Sequence, residues 1–210
     1  AGKPFISYTT ELLAKMSWID GAAVSTDSRE IAAEATKAGT AQIVWRPPHL
    51  SGDQVGDMPV LRHALESFEA NNNVAFDVVI MLQPTSPLRS VLEVEGCVDR
   101  LLAGDWDSVW TVSETKLSFH PLKQVRIASA GEVEFYVDDG QAIIARQQLT
   151  PTYYRNGVAY AFRSDFVRAS DSVFSPQRST AFVTRGEHIS IDSMDDLQAV
   201  ESALRKQRED

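Results

Sequence analysis

An apolar, β-branched run at residues 78–82 (Val-Val-Ile-Met-Leu) stops abruptly at Gln83-Pro84-Thr85-Ser86-Pro87-Leu88-Arg89. A short, uncharged run of this kind reads as a buried strand. Two prolines with only Thr85 and Ser86 between them suit neither a helix interior nor a central strand. The chain must therefore leave the sheet here in a rigid loop, and that loop carries an amide, two hydroxyls and a guanidinium. In open α/β sheets, ligands bind outside the carboxyl ends of strands, so this feature predicts a polar site as well as a fold.

The surrounding segments extend the pattern. Residues 4–15 read as a helix, with Phe5, Tyr8, Leu12 and Leu13 at helical spacing. Ala22-Ala23-Val24 reads as a strand running into Ser25-Thr26-Asp27. Asp27, with Glu30 three residues on, predicts a capping box for a helix over 28–38, which ends at Gly39. Residues 41–45 form the next strand, stopped by Arg46-Pro47-Pro48. Helices follow over about 58–69 and 91–102, with a strand at 108–112. This alternation predicts a parallel sheet with helices on both faces. Residues 114–155 hold shorter pieces, including 133–137 and a turn at Asp138-Asp139-Gly140, and predict a β-rich insertion. Strand character returns at 158–162, and Ser193-Met194-Asp195-Asp196 predicts the cap of a last helix to about Arg205.

A chain of 210 residues reads as a single domain, 1–210, large enough to bury about 70% of its unfolded surface. The net charge is −9, with no Lys/Arg stripe, which argues against a nucleic-acid polymer as partner. No apolar run approaches the about 20 residues a membrane span needs. The one cysteine, Cys97, excludes an intrachain disulfide and fits a reducing, cytoplasmic setting. Its neighbours Val94 and Val98 make it a packing residue.

Several segments together resemble the CMP-N-acetylneuraminic acid synthetases (acylneuraminate cytidylyltransferases). They are Gly2-Lys3-Pro4, Val24-Ser25-Thr26-Asp27, Arg46-Pro47 with Leu50-Ser51-Gly52-Asp53, residues 82–89, His120-Pro121-Leu122-Lys123, Arg146-Gln147-Gln148, Asn156-Gly157-Val158-Ala159-Tyr160, and Ile191-Asp192 with Asp196-Leu197 and Glu201. They occur in the family's order across nearly the whole chain. The resemblance implies a three-layer α/β/α Rossmann-like nucleotide-diphospho-sugar transferase fold. It implies that 114–155 is a small dimerisation insertion, and that the protein is a homodimer in which one subunit's insertion helps build the other's sugar pocket.

The implied reaction is attack by the anomeric hydroxyl of a nine-carbon α-keto acid sugar on the α-phosphate of CTP, giving CMP-sugar and pyrophosphate. The sugar would be sialic acid or a relative such as legionaminic or pseudaminic acid. Such a transfer needs in-line positioning and neutralisation of phosphate charge. Mg²⁺ takes oxygen ligands from one or two carboxylates plus phosphates, and the resemblance assigns it to Asp192, as metal ligand and catalytic residue. Gln83 is assigned to catalysis and sugar binding. Lys123, Arg146, Asn156 and Tyr160 match further sugar-site positions. Arg146 can grip a carboxylate at two points, and Lys123 supplies a point charge. Arg46 and the loop through Asp57 match the CTP-binding, base-reading region.

Two departures stand out. The family opens with a strand and a Gly/Ser-rich basic loop that wraps the triphosphate; this sequence holds neither. The expectation is omission rather than loss, because a central strand cannot be dropped without a hole in the sheet. Second, many members carry Asp-Ile-Asp where this chain has Ser190-Ile191-Asp192, so one carboxylate becomes a hydroxyl. These departures motivate the alternative of a degenerate member that binds sugar or nucleotide without turnover, as a regulatory or assembly subunit. An eight-carbon sugar acid as acceptor ranks below both. His120 reads as a turn residue, Gly157 as a backbone requirement, and Arg89 as either a helix ion pair or a substrate contact.

Overall fold

The computed structural model describes residues 2–39, 41–186 and 188–209. Helix α1 (Phe5–Leu13) precedes strand β1 (Ala23–Thr26), and α2 (Arg29–Ala38) carries the chain to β2 (Gln42–Trp45), which lies parallel to β1. Helix α3 (Asp57–Asn72) leads to β3 (Val78–Met81), and α4 (Val91–Leu102) to β4 (Ser108–Glu114). The short strands β5 (Val125–Ile127) and β6 (Val133–Phe135) form a separate antiparallel pair. Strand β7 (Tyr153–Arg163) returns to the main sheet, followed by α5 (Ser164–Ala169), β8 (Ser179–Val183) and α6 (Met194–Glu209).

The main sheet runs β3-β7-β4-β8. It is mixed rather than parallel: β7 is antiparallel to both β3 and β4, while β8 is parallel to β4. The reason lies in the insertion, which brings the chain back at the carboxyl end of β4 and so reverses the direction of the next strand. Side chains on β7 alternate between two cores, as a period of two requires. Ala159 and Ala161 join Val94, Cys97, Leu101 and Met16 beneath α4 and α1. Tyr160 and Phe162 join Met58, Leu65 and Val167 beneath α3 and α5. Small residues face one helix layer and aromatics the other, completing the α/β/α sandwich.

Local capping follows the sequence with one correction. The N-cap of α2 is Ser28, whose hydroxyl accepts from Ile31 N at 3.3 Å, and not Asp27. Ser28 N in turn donates to Thr26 Oγ1 at 3.1 Å, which fixes the chain one residue later than the Asp27 reading. Gly39 ends the helix at φ 69°. In the α6 cap, Asp196 N donates to Ser193 Oγ and Ser193 N donates to Asp196 Oδ2, at 3.2 and 2.9 Å.

The insertion contains two three-residue strands and four short 3-10 helices among the described residues, which is less β-rich than its short segments predict. His120 pins it. Its ring is buried, with Nδ1 accepting from Leu122 N at 3.2 Å and Nε2 3.0 Å from Thr150 O. Many of the insertion's apolar side chains are exposed, among them Phe119, Ile127, Val133, Tyr136 and Ile144.

The β1–β2 pair and the four-stranded sheet are not joined by strand pairing among the described residues. Between the edges of β1 and β3 lies a cavity of about 580 Å³, lined by Val24, Val78, Ile80 and Leu13 among others. The cavity reaches polar residues at one end, where Ser25, Arg46, Asp57 and Gln83 also line it.

Candidate active site

Where β3 ends, the proline-bounded loop is held by one buried side chain. Arg89 Nε donates to Ser86 O at 2.9 Å, and its Nη2 donates to Gln83 O and, at 3.5 Å, to Gly157 O. Only 7% of the residue's surface remains exposed. Burial lowers its pKa to about 10 against the opposing pull of Glu93, so it stays charged at neutral pH. Arg89 Nε and Nη2 therefore serve the backbone carbonyls of the loop and β7. Ser86 adds a further tie, its hydroxyl donating to Asn156 O at 3.2 Å.

Gly157 explains how the loop and β7 approach so closely. Its φ is +70°, and a Cβ there would lie 2.6 Å from Gln83 Oε1 and 2.7 Å from Ser86 Oγ. A glycine is required on both counts. The Gln83 side chain is thereby seated over the β7 backbone at the carboxyl end of β3.

Arg46, Asp57 and Gln83 all line the same cavity, so the structure brings these three residues together. Arg46 Nη2 donates to Ser25 O at 3.4 Å. Its Nε, together with Ser25 Oγ and Thr9 Oγ1, is buried without a hydrogen-bond partner among the described residues. Asp57 is the first residue of α3, whose N-cap Gly56 supplies no side chain; a carboxylate there is favoured by the helix dipole.

Asn156 has a different place from the one its sequence position suggests. Its amide nitrogen donates to Ser113 Oγ at 2.9 Å and Thr184 Oγ1 at 2.7 Å, and its Oδ1 accepts from Val158 N at 3.2 Å. Both amide hydrogens are spent joining β4, β7 and the end of β8, so the side chain has no donor left for a sugar. Ser113 and Thr184 went unnoticed in the sequence because single hydroxyls carry no spacing signal.

Tyr160 is buried between Trp110 and Phe162, with ring centroids 6.4 and 6.5 Å away. Burial raises the phenol's pKa; Arg155 opposes this and Asp57 adds to it. Arg155, not singled out in the sequence, places its guanidinium 5.4 Å from the Trp110 ring centroid.

Asp192 approaches from the far end of the chain. Ile191 N donates to Thr85 O at 2.9 Å, and Ser190 Oγ donates to Thr85 Oγ1 at 3.5 Å. Asp192 is exposed, and its amide donates to Asp196 Oδ2 at 3.2 Å. Among the described residues no cluster of three His, Cys, Asp or Glu could hold a metal ion. Lys123 and Arg146 lie on the insertion, each in an exposed 3-10 turn, and neither lines the cavity of Gln83.

A family model described as "Cytidylyltransferase" matches residues 1–204. The chain belongs to the cytidylyltransferase family. The pseudaminic acid cytidylyltransferase of Campylobacter jejuni is 24% identical over 94% of this chain and 83% of that protein. An N-acylneuraminate cytidylyltransferase of Streptococcus agalactiae is 27% identical over 94% of this chain, which spans 46% of that longer protein. Among solved structures, CMP:2-keto-3-deoxy-manno-octonic acid synthetase complexed with CTP superposes with a TM-score of 0.66. That match covers 99% of this chain and 90% of the other at 14% identity, and it shows that the cytidylyltransferase has the Rossmann-like nucleotidyltransferase fold.

Proposed function

We propose that this cytidylyltransferase activates a nine-carbon α-keto acid sugar with CTP, giving the CMP-sugar and pyrophosphate. The observation that carries this reading is the convergence of Arg46, Asp57 and Gln83 on one cavity at the carboxyl ends of β2 and β3. Sialic, legionaminic and pseudaminic acids are the acceptor class, in keeping with the relatives' names.

In this reading the sugar's anomeric oxygen bonds to the α-phosphorus of CTP as the bond to the bridging β-phosphate oxygen breaks. The residues' task is alignment and charge neutralisation rather than covalent chemistry. Arg46 and Asp57 border the nucleotide. Gln83, fixed over Gly157, offers its amide to the sugar. Asp192 would hold Mg²⁺. One exposed carboxylate beside Ser190 suits that ion, which takes one or two carboxylates and fills its shell with phosphate oxygens and water. When bound, the ion would neutralise triphosphate charge. Lys123 and Arg146, on the exposed insertion, would meet the sugar of a second subunit across a homodimer whose contact is the insertion's apolar surface.

Sugar-dependent release of pyrophosphate from CTP tests this reading. A folded full-length protein that binds nucleotide but stays silent with every acidic sugar would support binding without turnover instead.

A further inference from the structure

We propose that Arg89 is a positioning residue that fixes the spacing between Gln83 and the segment bearing Asp192. This rests on the proposed assignment of those two residues to sugar and metal. Three of the carbonyls that surround the guanidinium come from two separate elements: Gln83 and Ser86 from the loop, Gly157 from β7. Arginine's rigid fork can serve several acceptors at once; a lysine ammonium, a point charge on a flexible stem, cannot hold the same geometry.

The loop has a second set of ties, at its middle. Thr85 receives Ile191 N at its carbonyl and Ser190 Oγ at its hydroxyl. The stretch from Gln83 to Arg89 is therefore clamped to β7 by one residue and to the 190–192 segment by another. Any shift of the loop relative to β7 moves the Gln83 amide and the Asp192 backbone together. Among the described residues no carboxylate hydrogen-bonds the guanidinium: Nε and Nη2 donate to backbone carbonyls of the loop and β7, and Nη1 is buried without a hydrogen-bond partner. A residue serving only to bury charge would need no such arrangement.

The test compares Arg89→Lys and Arg89→Ala with wild type, and adds Gln83→Ala as a control. Misplacement of a reacting group by about 1 Å can cost about 100-fold in rate, so Arg89→Lys is expected to lose about that factor in kcat while KM for CTP changes little. Guanidinium ion, but not methylammonium, is expected to restore turnover to Arg89→Ala. Independently of activity, the Ile191 amide is expected to exchange its hydrogen about tenfold faster in Arg89→Lys, with the α4 core amides unchanged; about tenfold corresponds to ~1.4 kcal/mol of lost closure. Wild-type exchange at Ile191 in a folded Arg89→Lys protein would overturn the proposal, as would equal rescue by methylammonium. Wild-type turnover in Gln83→Ala would instead remove Gln83 from catalysis, leaving the exchange result to decide Arg89's role.

Discussion

Replacing Gly157 by alanine perturbs the loop–strand junction with a single methyl group. The residue sits at φ +70°, where a Cβ costs about 1–2 kcal/mol. That methyl would also lie 2.6 Å from Gln83 Oε1 and 2.7 Å from Ser86 Oγ, so both side chains must move. Moving Ser86 breaks its hydrogen bond to Asn156 O, worth about 1 kcal/mol. The sum, about 2–3 kcal/mol, should lower Tm by about 4–12 °C for a chain of this size. Gly39→Ala is the matched control, with φ +69° and open space around the added methyl. It carries the strain alone, about 1–2 kcal/mol. Thermal unfolding should rank Gly157→Ala below Gly39→Ala, and only Gly157→Ala should lose sugar-dependent turnover, by about 100-fold. If both variants unfold alike and both keep wild-type kcat, Gln83 is not seated over Gly157 in the way described.

Other expectations follow from local chemistry. Ser28→Ala should destabilise by about 1 kcal/mol through loss of the α2 cap, with Asp27→Ala nearly neutral; urea midpoints of the two variants decide it. The Cys97 thiol is buried and its pKa is raised to about 12 by burial, so a thiol reagent should leave the native protein unmodified and react at once in urea. Asp107 is held below the usual carboxylate range by Arg178, against the effect of burial and with help from Ser175. A depressed carboxyl contributes stability that is complete above its unfolded value near 3.8 and lost as pH falls through the lower folded value. The stability gap between wild type and Asp107→Asn should therefore narrow on acidification below about pH 4 and stay constant above it, as denaturant titrations at each pH would show.

Much of the fold was legible because its elements are local. Helix α4 spans the residues 91–102 expected from the sequence, and its Ser90–Glu93 capping box is a purely local feature. The prolines after β3 fixed the loop. The direction of β7 was not legible, since pairing with β3 and β4 is set by partners distant in sequence. Nor was β8, whose Ser179-Thr180-Ala181-Phe182-Val183 is an edge strand of mixed polarity with no clean alternation. The family resemblance named Gln83, Arg46 and Asp57 together, and these three residues line one cavity. The hydrogen bonds of Asn156 were not legible, because its position in the motif says nothing of Ser113 and Thr184, which reach it only through the folded sheet. Arg155 escaped notice for a similar reason: its partner Trp110 lies on a neighbouring strand.

The most direct measurement is mass-resolved product analysis after incubating the full-length protein with CTP, Mg²⁺ and a panel of sialic, legionaminic and pseudaminic acids. A CMP-linked sugar appearing together with equimolar pyrophosphate, for at least one of these acids and for none of their neutral counterparts, is the predicted result. Intact CTP and unchanged sugar across the panel, from a folded protein, would contradict it.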